Sequence, residues 1–564
     1  MRTALALAVA ALASCSSPAL ADPFTDLSVA YANRNALAAA ASYARDAVVT
    51  YRYEGTPEER HSGTRAIASS FRTLFDQIDA KDRLDLNFRE TLRAGNRVHG
   101  YYRLRIGRRQ VSYGQFHVML DNSGKFASDV SSGATRDDFE EAAGKVMVAP
   151  ADETLDRDFY ARLAGRYRFA DGCTLIVTRS VVRLFARDSC TGDWRGLSRQ
   201  SGRHWTGGDR VLSDKKTTIY RFASIQGGVS PSVEIVDGNG VKVATRTATY
   251  ETEDVTFKSA DGTTLAGTLY RPPSGAKRRP ATVMLHGSGP QDRDGYASII
   301  AVLADELAAA GRVVLAFDKR GSGQSGGDGD RASFSMLAAD GRAGMDFLAS
   351  RSEVDRTRIG FAGSSQAGWV AAKAIADGAS PADVFLLGAA GAALTVAEQN
   401  LYNTKIRMRC QGIGGDDIAL ALAQQRAFFD FLAGPTAAAR LDALTAKGRL
   451  RPALNGWLFP DSRTTDRSAA AWYVVLDPSF DPLPVWKRYR GKAAFVFSQF
   501  DDSTPTPIAQ ARLQGVTTTD LKFLSQAQHL GLATDDLCKG ELSDVTKFAP
   551  GLMPIVASFG MSAN

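Results

Sequence analysis

The sequence predicts a C-terminal α/β domain with a helical cap, preceded by a cone-like α+β domain and a small all-β domain. Three observations carry this. From Glu253 onward, short unbroken apolar runs alternate with amphipathic stretches; residues 155–248 read as strands throughout; and ahead of them, Ala-rich helical segments give way to strands of period two. At 564 residues the chain exceeds one ordinary domain. Its 44% hydrophobic and 23% charged content is that of a globular protein with large cores. The net charge of +7 comes from 68 basic and 61 acidic residues spread along the chain. The longest basic cluster, RIGRR at 105–109, suits a solvated strand edge, so no nucleic-acid partner is inferred.

Residues 1–21 read as an export signal: MRTALALAVAALASCSSPALA has a basic start, an apolar stretch too short to span a bilayer, and then small residues. Two cleavage rules compete. Ala19-Leu20-Ala21 ends an A-x-A site before Asp22, giving a periplasmic or secreted protein. Leu12-Ala13-Ser14-Cys15 resembles a bacterial lipoprotein box, which would make Cys15 a lipid anchor. Both readings place the mature protein outside the cytoplasm. Cys173, Cys190, Cys410 and Cys538 then remain, an even count that permits two disulfides. Cys173 and Cys190 bracket two expected strands and a turn, where a bridge would contribute roughly 3 kcal/mol. Cys410 with Cys538 is the other pairing, both being alternatively buried thiols.

Residues 22–150 form the first expected domain. Residues 24–77 read as helices, with Ile67, Phe71, Leu74 and Phe75 at helical spacing in GTRAIASSFRTLFDQI. LDLNFRETL, RVHGYYRLRI and QVSYGQFHVML then read as successive antiparallel strands. The stretch SYARDAVVTYRYEG…HSGTRAIASSFRTLF resembles the nuclear transport factor 2-like (SnoaL-like) cone. Such cones can house small ligands or isomerase sites; here His61, His99 and His117 are assigned no chemistry, and a scaffold or homodimerisation role is the expectation. Residues 155–248, punctuated by ADG, TGD, TGGD, QGG and DGNG, read as a small β-sandwich or barrel with an accessory role.

Residues 249–564 carry the chemistry. ATVMLHG, VVLAFDK, RIGFAGS, ADVFLLGAA, AAFVFSQFD and LKFLSQA are strands of a parallel sheet buried on both faces. A helical insertion at about 391–490 is expected to cap the sheet's C-terminal edge, where ligands bind in such sheets. In GSSQAG, taking Ser365 as nucleophile leaves Gly363 and Ala367 as its flanks; taking Ser364 leaves Ala362 and Gln366, and glutamine is too bulky for a tight elbow. A serine hydroxyl needs a base, and the base an orienting acid. Of the six histidines only His529 follows Ser365, in the loop after LKFLSQA. Asp501, with Asp502 beside it, ends the strand AFVFSQF, and Asp501 is preferred as the first residue past that strand. The glycine-rich loop after ATVMLHG supplies the N–H of Ser288 to an oxyanion, and the N–H of Gln366 supplies the second donor. His286, ahead of the serine, is expected to hold that loop's shape.

The stretches LHGSGPQDRDG, AFDKRGSGQSGGD, IGFAGSSQAGW, FSQFDDSTP and AQHLGL together resemble the α/β-hydrolase superfamily, in its dienelactone-hydrolase, serine-aminopeptidase and prolyl-oligopeptidase-like branch. The resemblance implies Ser365, Asp501 and His529 as a triad, with Asp318 and Arg320 structural. Departures from the family pattern are Ala367 in the elbow and Ser498 in place of a glycine. The leading expectation is a serine hydrolase of carboxylic esters acting without a cofactor. A peptidase of the same fold taking a short peptide is the alternative, with Asp416 and Asp417 as candidate amine-binding carboxylates that equally read as a helix cap. A binding protein with a relict hydrolase is the third. No metal site is expected, since the chain has no HExxH and no spaced Cys/His cluster. Trp457, Phe428, Phe429 and Phe431 are candidates for an acyl pocket or for plain cap core.

Overall fold

The computed structural model describes residues 22–52, 59–107, 110–134, 139, 147–148, 157–180, 183–201, 203–213, 215–272, 278–329, 331–388, 393–434, 437–454, 456–459, 477, 479–516, 519–540, 542 and 544–561. The export-signal reading of residues 1–21, including Cys15, lies outside them, as do residues 460–476 of the expected cap. Among the described residues, no helix is long and apolar enough to cross a membrane. The chain divides into two compact units, the first ending near Asp152.

In the first unit, helices Pro23–Ala32, Ala36–Ala41 and Gly63–Asp76 accompany a sheet whose strand order is Glu59–Ser62, Tyr43–Arg52, Phe126–Gly133, Gln110–Leu120, Arg97–Ile106, Leu84–Ala94, Met147–Val148. Phe24, Phe71, Phe116 and Phe126 fill its core. The helical expectation for 24–77 is corrected here. Tyr43–Arg52 is a strand, because its aromatic and β-branched residues turn Tyr43, Ala47 and Val49 inward while Val48–Tyr51 pair with Glu59–Ser62.

The second unit begins with a short helix, Arg157–Leu163, where a strand was expected. Phe159, Tyr160 and Leu163 share one helical face and are buried, with Tyr160 edge-on to Trp205 at 5.2 Å. Among the described residues, eight antiparallel strands from Gly165–Phe169 to Gly240–Thr247 then close into a barrel, so the all-β domain is a barrel and not a sandwich. Cys173 and Cys190 are bonded at the open end of its second hairpin, Thr174–Arg179 with Leu184–Asp188.

The α/β part follows, and labels run from its first strand: β1 (Glu251–Lys258), β2 (Thr264–Arg271), β3 (Arg279–Leu285), α1 (Ile299–Ala309), β4 (Val313–Phe317), α2 (Phe334–Ser350), β5 (Val354–Ser364), α3 (Ala367–Ala376) and β6 (Asp383–Leu387). The cap helices are α4 (Val396–Cys410), α5 (Gly415–Ala433) and α6 (Ala438–Arg449); α7 (Leu483–Arg488), β7 (Lys492–Ser498), α8 (Thr506–Leu513), β8 (Thr519–Leu524) and α9 (Leu552–Met561) complete it. The sheet order is β1-β2-β4-β3-β5-β6-β7-β8, with β1, β2 and β4 paired antiparallel and the remainder parallel. Every residue of β4 and β6 is buried, which is why β4 reads as an unbroken apolar run and β6 is apolar after Asp383, whose carboxylate is paired with the buried Arg312.

Barrel and α/β part share one core. Trp194 of the barrel stacks against Phe185 and meets Phe548 at 4.6 Å. Backbone N–H groups of Trp194, Val211 and Leu212 donate to the carbonyls of Thr546, Val545 and Leu542. Arg166 clasps the buried carboxylate of Asp305 on α1 at 2.7 Å, and Arg187 pairs with Glu306.

Candidate active site

The elbow forms where β5 runs into α3 with no loop to spare. Ser365 takes φ 55°, the left-handed region that costs an L-residue on the order of 1–3 kcal/mol. Its N–H donates to Leu387 O at 2.9 Å, tying the turn to β6. Gly363 and Ala367 fit each other: a Cβ on Gly363 would stand 2.4 Å from Leu285 O and 2.6 Å from the Ala367 methyl. With alanine at 367, position 363 must be glycine. Ser364 ends β5 and is buried, whereas Ser365 is partly exposed.

His529 and Asp501 come from neighbouring loops after β8 and β7. The loops are zipped together by Gln499 N–H to Leu524 O, Phe500 N–H to Ala527 O and Gln526 N–H to Gln499 Oε1. His529 Nδ1 lies 2.9 and 3.0 Å from the Asp501 carboxylate oxygens. Asp501 is itself buried and accepts the N–H groups of Ser503 at 2.9 Å and Thr504 at 2.6 Å. Burial pushes the imidazole's pKa down, but Asp501, and beyond it Asp502, outweigh burial and hold it above its ordinary value. Asp502 is otherwise engaged, accepting from Arg407 Nε at 2.9 Å and from the Ser503 hydroxyl.

Elbow and imidazole meet at the end of β6. Leu387 accepts the Ser365 N–H, and the next residue, Gly388 at φ 57°, lies against the ring: a Cβ there would be 3.0 Å from His529 Nδ1 and Cε1, and 2.3 Å from His529 O. Only glycine fits both the conformation and the approach. With Nδ1 facing Asp501, Nε2 is the ring nitrogen turned away from the carboxylate.

The loop after β3 closes the other side. A Cβ on Gly287 would lie 3.7 Å from Ser365 Cβ. Ser288 is exposed at that loop's tip, and Gln366, buried, caps the N-terminus of α3. His286 is buried, with Nε2 donating to Phe317 O at 2.6 Å; burial and then Lys319 lower its pKa to about 3, so it stays neutral. Asp318 accepts from Arg293 and the Gln324 N–H, and Arg320 from the same stretch grips Asp340 and Asp261. Both are structural. One residue escaped the sequence reading: Lys319, between them, whose buried ammonium donates to Gly287 O, Gly289 O and Gln366 Oε1. The available signal was a lysine two residues past a wholly apolar strand.

The cap meets the acid loop through α4: Tyr402 OH donates to Asp501 O at 3.0 Å and Asn403 Nδ2 to Ser503 Oγ at 3.2 Å. Cys410, at the end of α4, is bonded to Cys538. Asp416 and Asp417 lie in the first turn of α5, with Asp417 paired to Arg451. Phe428, Phe429 and Phe431 pack into cap core, and Trp457 packs partly buried against a second cap cluster.

The strand order, the strained serine turn between β5 and α3, and the acid and histidine after β7 and β8 define an α/β-hydrolase fold. Residues 276–412 match the family model described as Serine aminopeptidase, S33. The uncharacterized protein Rv2307c of Mycobacterium tuberculosis (strain ATCC 25618 / H37Rv) is 38% identical over 112 residues, 20% of this chain and 37% of that protein. The uncharacterized protein PA2218 of Pseudomonas aeruginosa is 36% identical over 133 residues, 23% of this chain and 34% of that protein. The chain thus spans about a third of the length of these curated relatives. The crystal structure of PA2218 aligns over 56% of this chain and 95% of that one, at 18% identity and a TM-score of 0.36. The esterase Pf2001 of Pyrococcus furiosus aligns over 50% and 84%, at 16% identity and a TM-score of 0.32.

Proposed function

We propose that this protein is an exported serine hydrolase that cleaves carboxylic esters through Ser365, His529 and Asp501. The observation that carries the reading is the Asp501–His529 pair lying against Gly388, one residue from the carbonyl that holds the Ser365 elbow. In this mechanism Ser365 Oγ attacks the ester carbonyl while His529 Nε2 takes its proton. The oxyanion is met by the N–H groups of Ser288 and Gln366. The tetrahedral adduct collapses, the C–O bond to the alcohol breaks, and His529 returns the proton to the leaving oxygen. Water, deprotonated by His529, then releases the acid from Ser365. Asp501 keeps the ring in the productive tautomer and stabilises its charged form. Ser365→Ala is expected to abolish hydrolysis of p-nitrophenyl esters by the folded protein; full activity in that variant overturns the assignment.

Export is supported by the basic-then-apolar start of the chain and by the Cys173–Cys190 and Cys410–Cys538 bonds, which persist in oxidising compartments. We read residues 22–150 as a nuclear transport factor 2-like scaffold or dimerisation unit. The family match favours a second reading, an aminopeptidase. Against it, Asp417 is spent on Arg451 and Asp416 shares its helix turn. Comparing p-nitrophenyl acyl esters with aminoacyl p-nitroanilides separates the two; faster turnover of the anilides contradicts the esterase reading.

A further inference from the structure

Lys319 follows Asp318 at the end of β4, and its ammonium is buried beneath the loop that faces Ser365. It donates to Gly287 O at 2.9 Å, Gly289 O at 2.9 Å and Gln366 Oε1 at 2.7 Å. An ammonium has three N–H bonds, so three acceptors saturate it, whereas a neutral amine would leave one acceptor facing a lone pair. Among the described residues, no carboxylate forms an ion pair with it: Asp318 is taken by Arg293, and Asp340 by Arg320. The neighbouring His286 is neutral and bonded to Phe317 O. Burial lowers the Lys319 pKa to about 7, so the three-donor ammonium is costly to keep and is held by its three acceptors rather than by a counter-ion.

The acceptors indicate what the charge does. Gly287 C=O and Ser288 N–H belong to one trans peptide plane and point in opposite directions. Holding that oxygen from below turns the Ser288 N–H away from Lys319. The same ammonium holds the side chain of Gln366, whose own N–H is the other expected donor. We propose that Lys319 is the positioning residue of the oxyanion site, clipping the Gly287–Gly289 loop to Gln366 so that both N–H donors address one point. The inference rests on Ser365 being the nucleophile.

The test compares wild type, Lys319→Met and Gln366→Met, which keeps the backbone N–H and removes the side-chain amide that Lys319 holds. Each is assayed for kcat and KM on p-nitrophenyl acetate, for the second-order rate of fluorophosphonate labelling at Ser365, and for its unfolding midpoint. Lys319→Met is expected to lose about a hundredfold in kcat and in labelling rate with KM little changed, and Gln366→Met about tenfold. A lowered midpoint with wild-type kcat and labelling rate shows a purely structural lysine and overturns the proposal. If Lys319→Met does not fold, Gln366→Met decides alone, and wild-type rates in it overturn the proposal. Failure of wild type itself to label at Ser365 rejects the nucleophile assignment instead.

Discussion

Asp501 and Asp502 are chemically identical neighbours with different occupations. Asp501 holds the imidazole and is fixed by two backbone N–H groups, while Asp502 faces Arg407. Asp501→Asn is therefore expected to lower kcat on p-nitrophenyl acetate by on the order of 10⁴-fold, and Asp502→Asn far less; equal losses contradict this division. The same pair sets the pH dependence. Burial lowers the pKa of His529, yet Asp501 and then Asp502 raise it beyond its ordinary 6.5. The base must be neutral, so kcat/KM should rise with pH along a limb centred above 6.5, and Asp501→Asn should move that limb down. A wild-type limb below 6.5 contradicts the arrangement. Gly388→Ala tests the meeting point of elbow and ring. Its methyl would intrude on His529 O and the imidazole, so activity should fall much further than the unfolding midpoint; unchanged kcat would show that the ring need not lie there. At this scale the sequence was legible wherever chain order restricts the choice, as with the lone histidine after Ser365. The role of Lys319 was not legible, because its partners, two backbone carbonyls of the loop after β3 and the Gln366 side chain, are brought to it only by the fold.

At the scale of elements, one helix fastens the cap to the catalytic loops. Asn403, Arg407 and Cys410 recur at i, i+4 and i+7 along one face of α4, meeting Ser503, Asp502 and Cys538. The Cys410–Cys538 bond closes a separation of 128 residues and the Cys173–Cys190 bond one of 17. On loop entropy the first should contribute about 5 kcal/mol and the second about 3 kcal/mol. Cys410→Ser/Cys538→Ser should thus lower the unfolding midpoint more than Cys173→Ser/Cys190→Ser, and should also slow turnover by loosening α4. The reverse order of midpoints contradicts this. The parallel strands were readable because burial on both faces leaves runs such as VVLAF without a polar residue. The strand Tyr43–Arg52 was hidden because an Ala-rich helix runs almost directly into it. The helix Arg157–Leu163 was hidden because its buried aromatics mimic strand composition.

For the second unit as a whole, barrel and α/β part are one folding body. Asp305 is buried on α1 and held by Arg166 from the barrel and by Tyr250. Arg166→Met would leave that carboxylate without its cation, at a cost of about 3–5 kcal/mol. Calorimetry of the variant should show barrel and α/β part melting together at a lower temperature; loss of the barrel alone, with the hydrolase transition unmoved, contradicts a shared core. No sequence pattern foretold this docking, since Trp194 and Phe548 are joined only by the tertiary fold. Whether Ser365 is a nucleophile activated from across the sheet edge is decided by where an active-site phosphonylating probe attaches. The protein is treated with a fluorophosphonate and the adduct is located by peptide mass spectrometry. A single adduct is expected on Ser365, and it should disappear in His529→Ala; an adduct on Ser364 or elsewhere, or labelling indifferent to His529, would refute the assignment.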